Sequence, residues 1–259
     1  MKRDDSKYYN LADWGLCTSE SLAGKIQIIK TLIPSDVKSI LDIGCGNGAI
    51  TNVLGENFDV TGVDISSVAL EQVTTAKMQA SSAEVPLADN FADMVFSSEV
   101  LEHLDEETYR ATLNEIARLA RKYVLISVPF NETVARQHVQ CPDCGLIFPR
   151  NYHFRSFNRA SMKSLLSGFK LQMTECGGMA VRGYHPRLIR LRHKIVPWEF
   201  GVPYSWRHWG TKITVCPDCE TQFDVSFKTH PFGFVLDAVN TVIKQKQPYW
   251  LITLFQKTQ

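Results

Sequence analysis

The segment LDIGCGNGAI, Leu41 to Ile50, joins the end of a short apolar run to three glycines and an acid. Gly44 permits a tight turn at positive φ, and Gly46 and Gly48 remove side chains, so a ligand can approach the backbone closely. Asp64 follows Gly44 by 20 positions, where a carboxylate can accept hydrogen bonds from ribose hydroxyls. Two ligand classes fit this pattern. Read as G-x-G-x-x-A on Gly44, Gly46 and Ala49, the loop could hold a dinucleotide. Asp42, however, puts a carboxylate just before the bend, which suits a cation better than a pyrophosphate. S-adenosylmethionine carries a sulfonium and an ammonium and no phosphate, so the charge argument favours it.

Four of the seven cysteines lie in two identical CPDC tetrapeptides, Cys141 to Cys144 and Cys216 to Cys219. Two C-x-x-C knuckles can supply the four thiolates of a tetrahedral ion, which points to structural zinc on Cys141, Cys144, Cys216 and Cys219. The gap between the knuckles is far wider than the 15–20 residues usual in zinc ribbons, so the knuckles must meet across the fold. Alternatives are a redox dithiol or unliganded thiols, and His138 and His153 could stand in as ligands. A site filled by four cysteines has no open position, so the metal is expected to be structural. Cys17, Cys45 and Cys176 read as buried small hydrophobes. His103 and His153 are the candidates for a general base. The segment RGYHPRLIRLRHK, Arg182 to Lys194, is locally basic and could meet phosphate, a membrane surface or RNA; the plainer reading is a solvated helix face. Tyr8, Tyr9 and Trp14 could form a lid or pack on the domain.

The elements that must position these residues alternate. A helix is expected over Ser21–Ile33, and strands over Ser39–Ile43, Phe58–Val63, Met78–Ala80, Met94–Ser97 and Tyr123–Val128. Helices are expected from Ala49, from a Ser66 cap to about Ala76, and over Asp105–Arg121. This β-then-α order implies a doubly wound parallel sheet. A helix and strand over Asn158–Glu175, a helix near Phe234–Lys244 and a strand at Tyr249–Phe255 complete the pattern. The 259 residues, 44% hydrophobic, admit one large domain or one domain with a small accessory unit. The net charge of +1 gives no global pull toward nucleic acid. No run approaches the roughly 18 apolar residues of a membrane span, and MKRDDSKYYN lacks the apolar run of a signal peptide, so a cytoplasmic address is expected.

DIGCGNG resembles the first motif of the class I S-adenosylmethionine-dependent methyltransferases, of the small-molecule type 11/23 pattern. VDIS (Val63 to Ser66) resembles their ribose-binding acid motif, and the stretch Ser81 to Leu104 resembles the one holding the adenine contact and fourth strand. Relatives often read D-A-x-x-L-P there; this chain has Ser82-Ala83. Val100-Leu101-Glu102-His103 matches their V-L-E-H, and NYHFRSF around His153 resembles a histidine-containing stretch of many small-molecule methyltransferases. The resemblance implies a seven-stranded Rossmann-like sheet. It implies that Asp42, Gly44, Cys45 and Gly46 line the methionine end of the cofactor, and that Asp64 binds ribose with Ile65 on adenine. Ser82 and Ala83 would border the ring, and Ser98 or Glu99 would sit beside the cofactor. It divides the chain into an N-terminal helical cap (1–36), a methyltransferase core (37–135, 155–180 and 228–259) and zinc-binding, substrate-side insertions (136–154 and 181–227). The expected reaction is O- or N-methylation of a small or glycan-like metabolite. An RNA methyltransferase using the zinc element and a non-catalytic cofactor-binding scaffold are the alternatives.

Overall fold

A computed structural model describes residues 19–198, 213–224 and 230–258. Tyr8, Tyr9, Trp14 and Cys17 fall outside them. The chain opens with helix α1 (Ser19–Leu32), then runs β1 (Ser39–Ile43), α2 (Thr51–Gly55), β2 (Asp59–Asp64), α3 (Ser67–Leu70), β3 (Ala76–Gln79) and β4 (Ala92–Ser98). Helix α4 (Glu106–Leu119) leads into β5 (Ala120–Pro129), followed by a hairpin of β6 (His138–Gln140) and β7 (Ile147–Pro149). Then come α5 (Arg159–Lys163), β8 (Phe169–Arg182), α6 (Pro186–Ile195), a second hairpin of β9 (Ile213–Val215) and β10 (Gln222–Asp224), α7 (Pro231–Ile243) and β11 (Lys246–Lys257).

Seven strands form one sheet in the order β3-β2-β1-β4-β5-β11-β8, which is the expected doubly wound α/β architecture. Strands β1 to β5 pair in parallel, and β11 runs antiparallel between β5 and β8. The inner strands are near-continuous apolar runs because both faces are covered. On one face Leu41, Ile43, Val95, Val124, Ile126 and Val128 join Ile116 and Leu119 of α4. On the other, Ile40, Met94, Phe96, Leu125 and Ile252 pack with Ile29 and Leu32 of α1.

Helix α4 starts where Asp105 accepts the Thr108 amide at 2.8 Å, with Glu106 and Glu107 against the positive end of the helix dipole. The helix expected to run from Ser66 to Ala76 is much shorter, because α3 stops at Leu70. Val73, Thr74 and Thr75 are β-branched and resist helix. Lys77 Nζ caps the freed carbonyls of Leu70 and Val73 at 2.7 and 2.9 Å, and the chain turns straight into β3. The basic segment is also corrected in part. It does form a helix, α6, but Arg192 is buried and pairs with Asp237 of α7 at 3.0 Å instead of facing solvent. Among the described residues no helix is long and apolar enough to cross a membrane.

Candidate active site

The glycine bend lies at the carboxyl end of β1, with β2 and β4 beside it. Gly44, Gly46 and Gly48 all have positive φ (77°, 54° and 77°). A Cβ on Gly44 would lie 2.2 Å from Val100 Cγ2, so the bend and the start of the V-L-E-H turn are packed in contact. Asp64 holds the bend from the end of β2. Its Oδ2 accepts the Gly46 amide at 2.8 Å and its Oδ1 accepts the Ser66 amide at 2.9 Å. Burial pushes its carboxyl above the ordinary range, although these amides pull the other way. The thiol of Cys45 is turned inward, 2.9 Å from where a Gly62 Cβ would sit, so this residue offers the site only its backbone.

Asp42 is buried, and Thr51 donates to its Oδ2 at 2.6 Å. Its Oδ1 is buried, with no hydrogen-bond partner among the described residues. Burial drives this carboxyl up to about 7, against the Thr51 bond that lowers it. A pH dependence follows. An unfolded aspartate loses its proton near pH 4. Between there and pH 7 the folded state keeps the proton that the unfolded state has lost, so the Asp42 contribution to stability is largest in acid and is lost as pH rises through 7. Asp42→Asn should therefore gain on the wild type as pH rises. Urea-unfolding free energies compared from pH 4 to 8 should diverge by about 2–4 kcal/mol. A pH-independent difference would show that Asp42 titrates as an ordinary acid.

The remaining residues expected at the cofactor lie at or just after the carboxyl ends of β2, β3 and β4. Ile65 is partly exposed beyond β2. Ser82 shares a 2.8 Å hydrogen bond with Thr112 of α4, and the Ala83 amide donates to Ser81 Oγ at 3.2 Å, which fixes the turn after β3. Ser98 ends β4, and Glu99 follows it at φ +57°. Sequence reasoning missed the partner of Glu99. Lys25 of α1, 3% exposed, reaches its carboxylate at 3.2 Å and lies over the Trp250 ring. No local pattern announces a contact between residues 74 positions apart.

Both candidate bases come together. The His103 and His153 rings are edge to face, with centroids 4.5 Å apart. His153 Nδ1 is hydrogen-bonded to Glu132, in the loop after β5, a residue that sequence reasoning also missed. Burial opposes protonation of His153, but the Glu132 carboxylate prevails and raises it to about 9. Glu102 beside them is fully buried, and neither of its carboxyl oxygens has a hydrogen-bond partner among the described residues.

The two knuckles also meet. Cys141 Sγ lies 3.5 Å from Cys219 Sγ, Cys144 Sγ lies 3.5 Å from Cys216 Sγ, and all four sulfurs fall within 4.8 Å of one another. Bonds of 2.3 Å to one tetrahedral ion would set sulfurs about 3.8 Å apart, so one ion fits. Val139, Phe148, Tyr152, Cys141 and Cys216 form a small core of their own. This unit braces the His153 segment. Thr214 Oγ1 donates to the Arg150 carbonyl at 3.1 Å, and the Tyr152 hydroxyl donates to the Val215 carbonyl. His138 is not in the cluster; it stacks on His193, with the Trp198 ring tilted against it. Cys45 is buried as expected, whereas Cys176 is only half-buried and lies 3.2 Å from the Arg159 guanidinium.

A family model described as a methyltransferase domain matches residues 21–175. An O-methyltransferase of Pyrenophora dematioidea is 29% identical over 116 residues, 40% of this chain and 43% of the relative. The chain spans about two-fifths of the length of the curated relatives it matches. Among solved structures, a Pyrococcus horikoshii protein has a TM-score of 0.55 at 11% identity, covering 97% of this chain and 99% of its own. A SAM-dependent methyltransferase from Archaeoglobus fulgidus has a TM-score of 0.51 at 15% identity, covering 95% of this chain and 100% of its own. At such identities the likeness concerns the fold.

Proposed function

From the premise that the chain belongs to the methyltransferase-domain family, we propose that it methylates the oxygen or nitrogen of a small or glycan-like metabolite by direct displacement. The observation that carries this reading is the pair of buried carboxylates, Asp42 and Asp64, on either side of a bare positive-φ backbone bend. The orphaned Asp42 Oδ1 calls for a cationic or hydrogen-bond-donating partner, which the ammonium of S-adenosylmethionine supplies. The cofactor contributes a methyl group activated on a sulfonium. The chain's own residues bind and orient it. Asp42, Gly44, Cys45 and Gly46 hold the methionine end through a carboxylate and open backbone. Asp64 keeps the bend in shape and offers its remaining lone pairs to ribose. Ile65, Ser82 and Ala83 border adenine, and Ser98 and Glu99 close the β4 side. Alignment and proximity do much of the work in such a displacement. Removal of the acceptor's proton falls to the Glu102, His103 and His153 cluster.

Cys141, Cys144, Cys216 and Cys219 hold one structural zinc in this reading. The metal clamps the two hairpins, which in turn fix the backbone on either side of Asn151 and so aim His153. Calorimetry with S-adenosylhomocysteine tests the whole assignment. One site per chain is expected. No heat with that ligand, together with a clear signal from NADH, would overturn it in favour of a dinucleotide enzyme.

A further inference from the structure

Glu102 poses a problem that methyl transfer does not solve. A fully buried carboxyl group whose two oxygens have no hydrogen-bond partner among the described residues is costly unless something compensates it. Its neighbours are two imidazoles, and one ligand atom from each of Glu102, His103 and His153 falls within 4.8 Å of the others. The surroundings hold this group in place. The Glu102 carbonyl accepts the Phe154 amide at 2.7 Å, which pins the turn after β4 to the histidine segment. Tyr152, just before His153, has φ +56°, an unfavourable backbone conformation. Glu132 occupies His153 Nδ1, leaving Nε2 as the free ring nitrogen, and Asn151 Nδ2 donates to the other oxygen of Glu132 at 3.3 Å. A carboxylate behind a histidine, itself hydrogen-bonded, is the arrangement that orients imidazole ligands on metals.

We propose that Glu102, His103 and His153 bind one divalent cation, separate from the four-cysteine site, with Glu132 as its outer-sphere support. Two imidazoles and one carboxylate leave open coordination positions. The turn that carries Glu102 begins at Val100, which packs on Gly44, so the ion sits beside the cofactor bend. Resting on the methyltransferase reading, this defines the acceptor as a hydroxyl compound. The hydroxyl oxygen occupies an open position on the ion, which lowers its pKa, and the proton leaves to water, so the ion replaces the direct base role of the residues that hold it. An oxygen lone pair then forms the new C–O bond while the C–S bond breaks. Its electron pair stays on sulfur, and the sulfonium becomes a neutral thioether.

The zinc-replete protein titrated with Mn²⁺, followed by electron paramagnetic resonance of the free ion, tests this. Mn²⁺ prefers oxygen and nitrogen donors, so the thiolate cluster does not compete. One Mn²⁺ per chain is expected. Glu102→Gln, a near-isosteric change whose folding is checked by circular dichroism, should weaken binding at least ~100-fold, and Glu132→Gln should weaken it about 10–100-fold. The absence of Mn²⁺ binding, or binding that both variants retain in full, overturns the site. If S-adenosylhomocysteine still binds in that case, the methyltransferase reading stands alone. Mn²⁺ bound by a protein with no affinity for S-adenosylhomocysteine supports the site but removes its part in methyl transfer.

Discussion

Asp64→Ala is expected to reduce affinity for S-adenosylhomocysteine at least ~100-fold. The carboxylate takes two backbone amides at once, Gly46 at 2.8 Å and Ser66 at 2.9 Å. Hydrogen bonds to a charged group contribute about 1.5–3 kcal/mol each, so alanine forfeits about 3–6 kcal/mol of organisation before any ribose contact is counted. The loss falls on the loop that receives the ligand, so binding should suffer more than folding. Asp64→Asn retains one acceptor oxygen and should lie between wild type and alanine. Calorimetry on the three proteins measures the series. Affinities within about threefold of one another would mean that Asp64 shapes the bend without serving the ligand.

Cys216→Ser should empty the four-cysteine site and open the unit around it. Each hairpin there has only three residues per strand, and isolated two-stranded hairpins are marginal in water. The small core around Phe148 and Tyr152 is slight for two such hairpins, so on the proposed zinc reading the metal supplies most of the cohesion. Zinc content measured by emission spectroscopy should drop from one per chain to none. The melting midpoint should fall by roughly 10 °C, as expected for a loss of several kcal/mol in a chain of this size. Turnover should fall too, because the Asn151 segment loses its bracing. Cys176→Ser, at a half-buried position remote from the cluster, should leave all three unchanged. Wild-type protein that carries no metal and melts like Cys216→Ser would defeat the zinc assignment.

Local features were legible in the sequence where local physics decided them. The strand runs Ser39–Ile43 and Tyr123–Val128 are mostly apolar, and the glycines of the bend admit the positive φ angles that the turn requires. The end of α3 was missed because the Ser66 cap was weighed above the β-branched run at Val73–Thr75. The meeting of two CPDC knuckles followed from the chemistry of four thiolates, without any knowledge of the path between them. Glu102 was visible inside V-L-E-H, but its complete burial was not, because burial belongs to the packed turn. Lys25–Glu99 and Glu132–His153 escaped notice because each is a pairing of ordinary residues from different elements, and only the fold makes them neighbours.

The place of β11 in the sheet has a consequence for synthesis. It alone joins β5 to β8, yet it is made more than 60 residues after β8 ends. At about 5–20 residues per second, the nascent chain carries two open strand edges for several seconds after β8 leaves the ribosome. The two strands run the same way along the sheet, so until β11 arrives their open edges are free to pair in parallel with each other or with another chain. Crowded polysomes, where the edge of one nascent chain meets that of its neighbour, are where this protein is most exposed to aggregation.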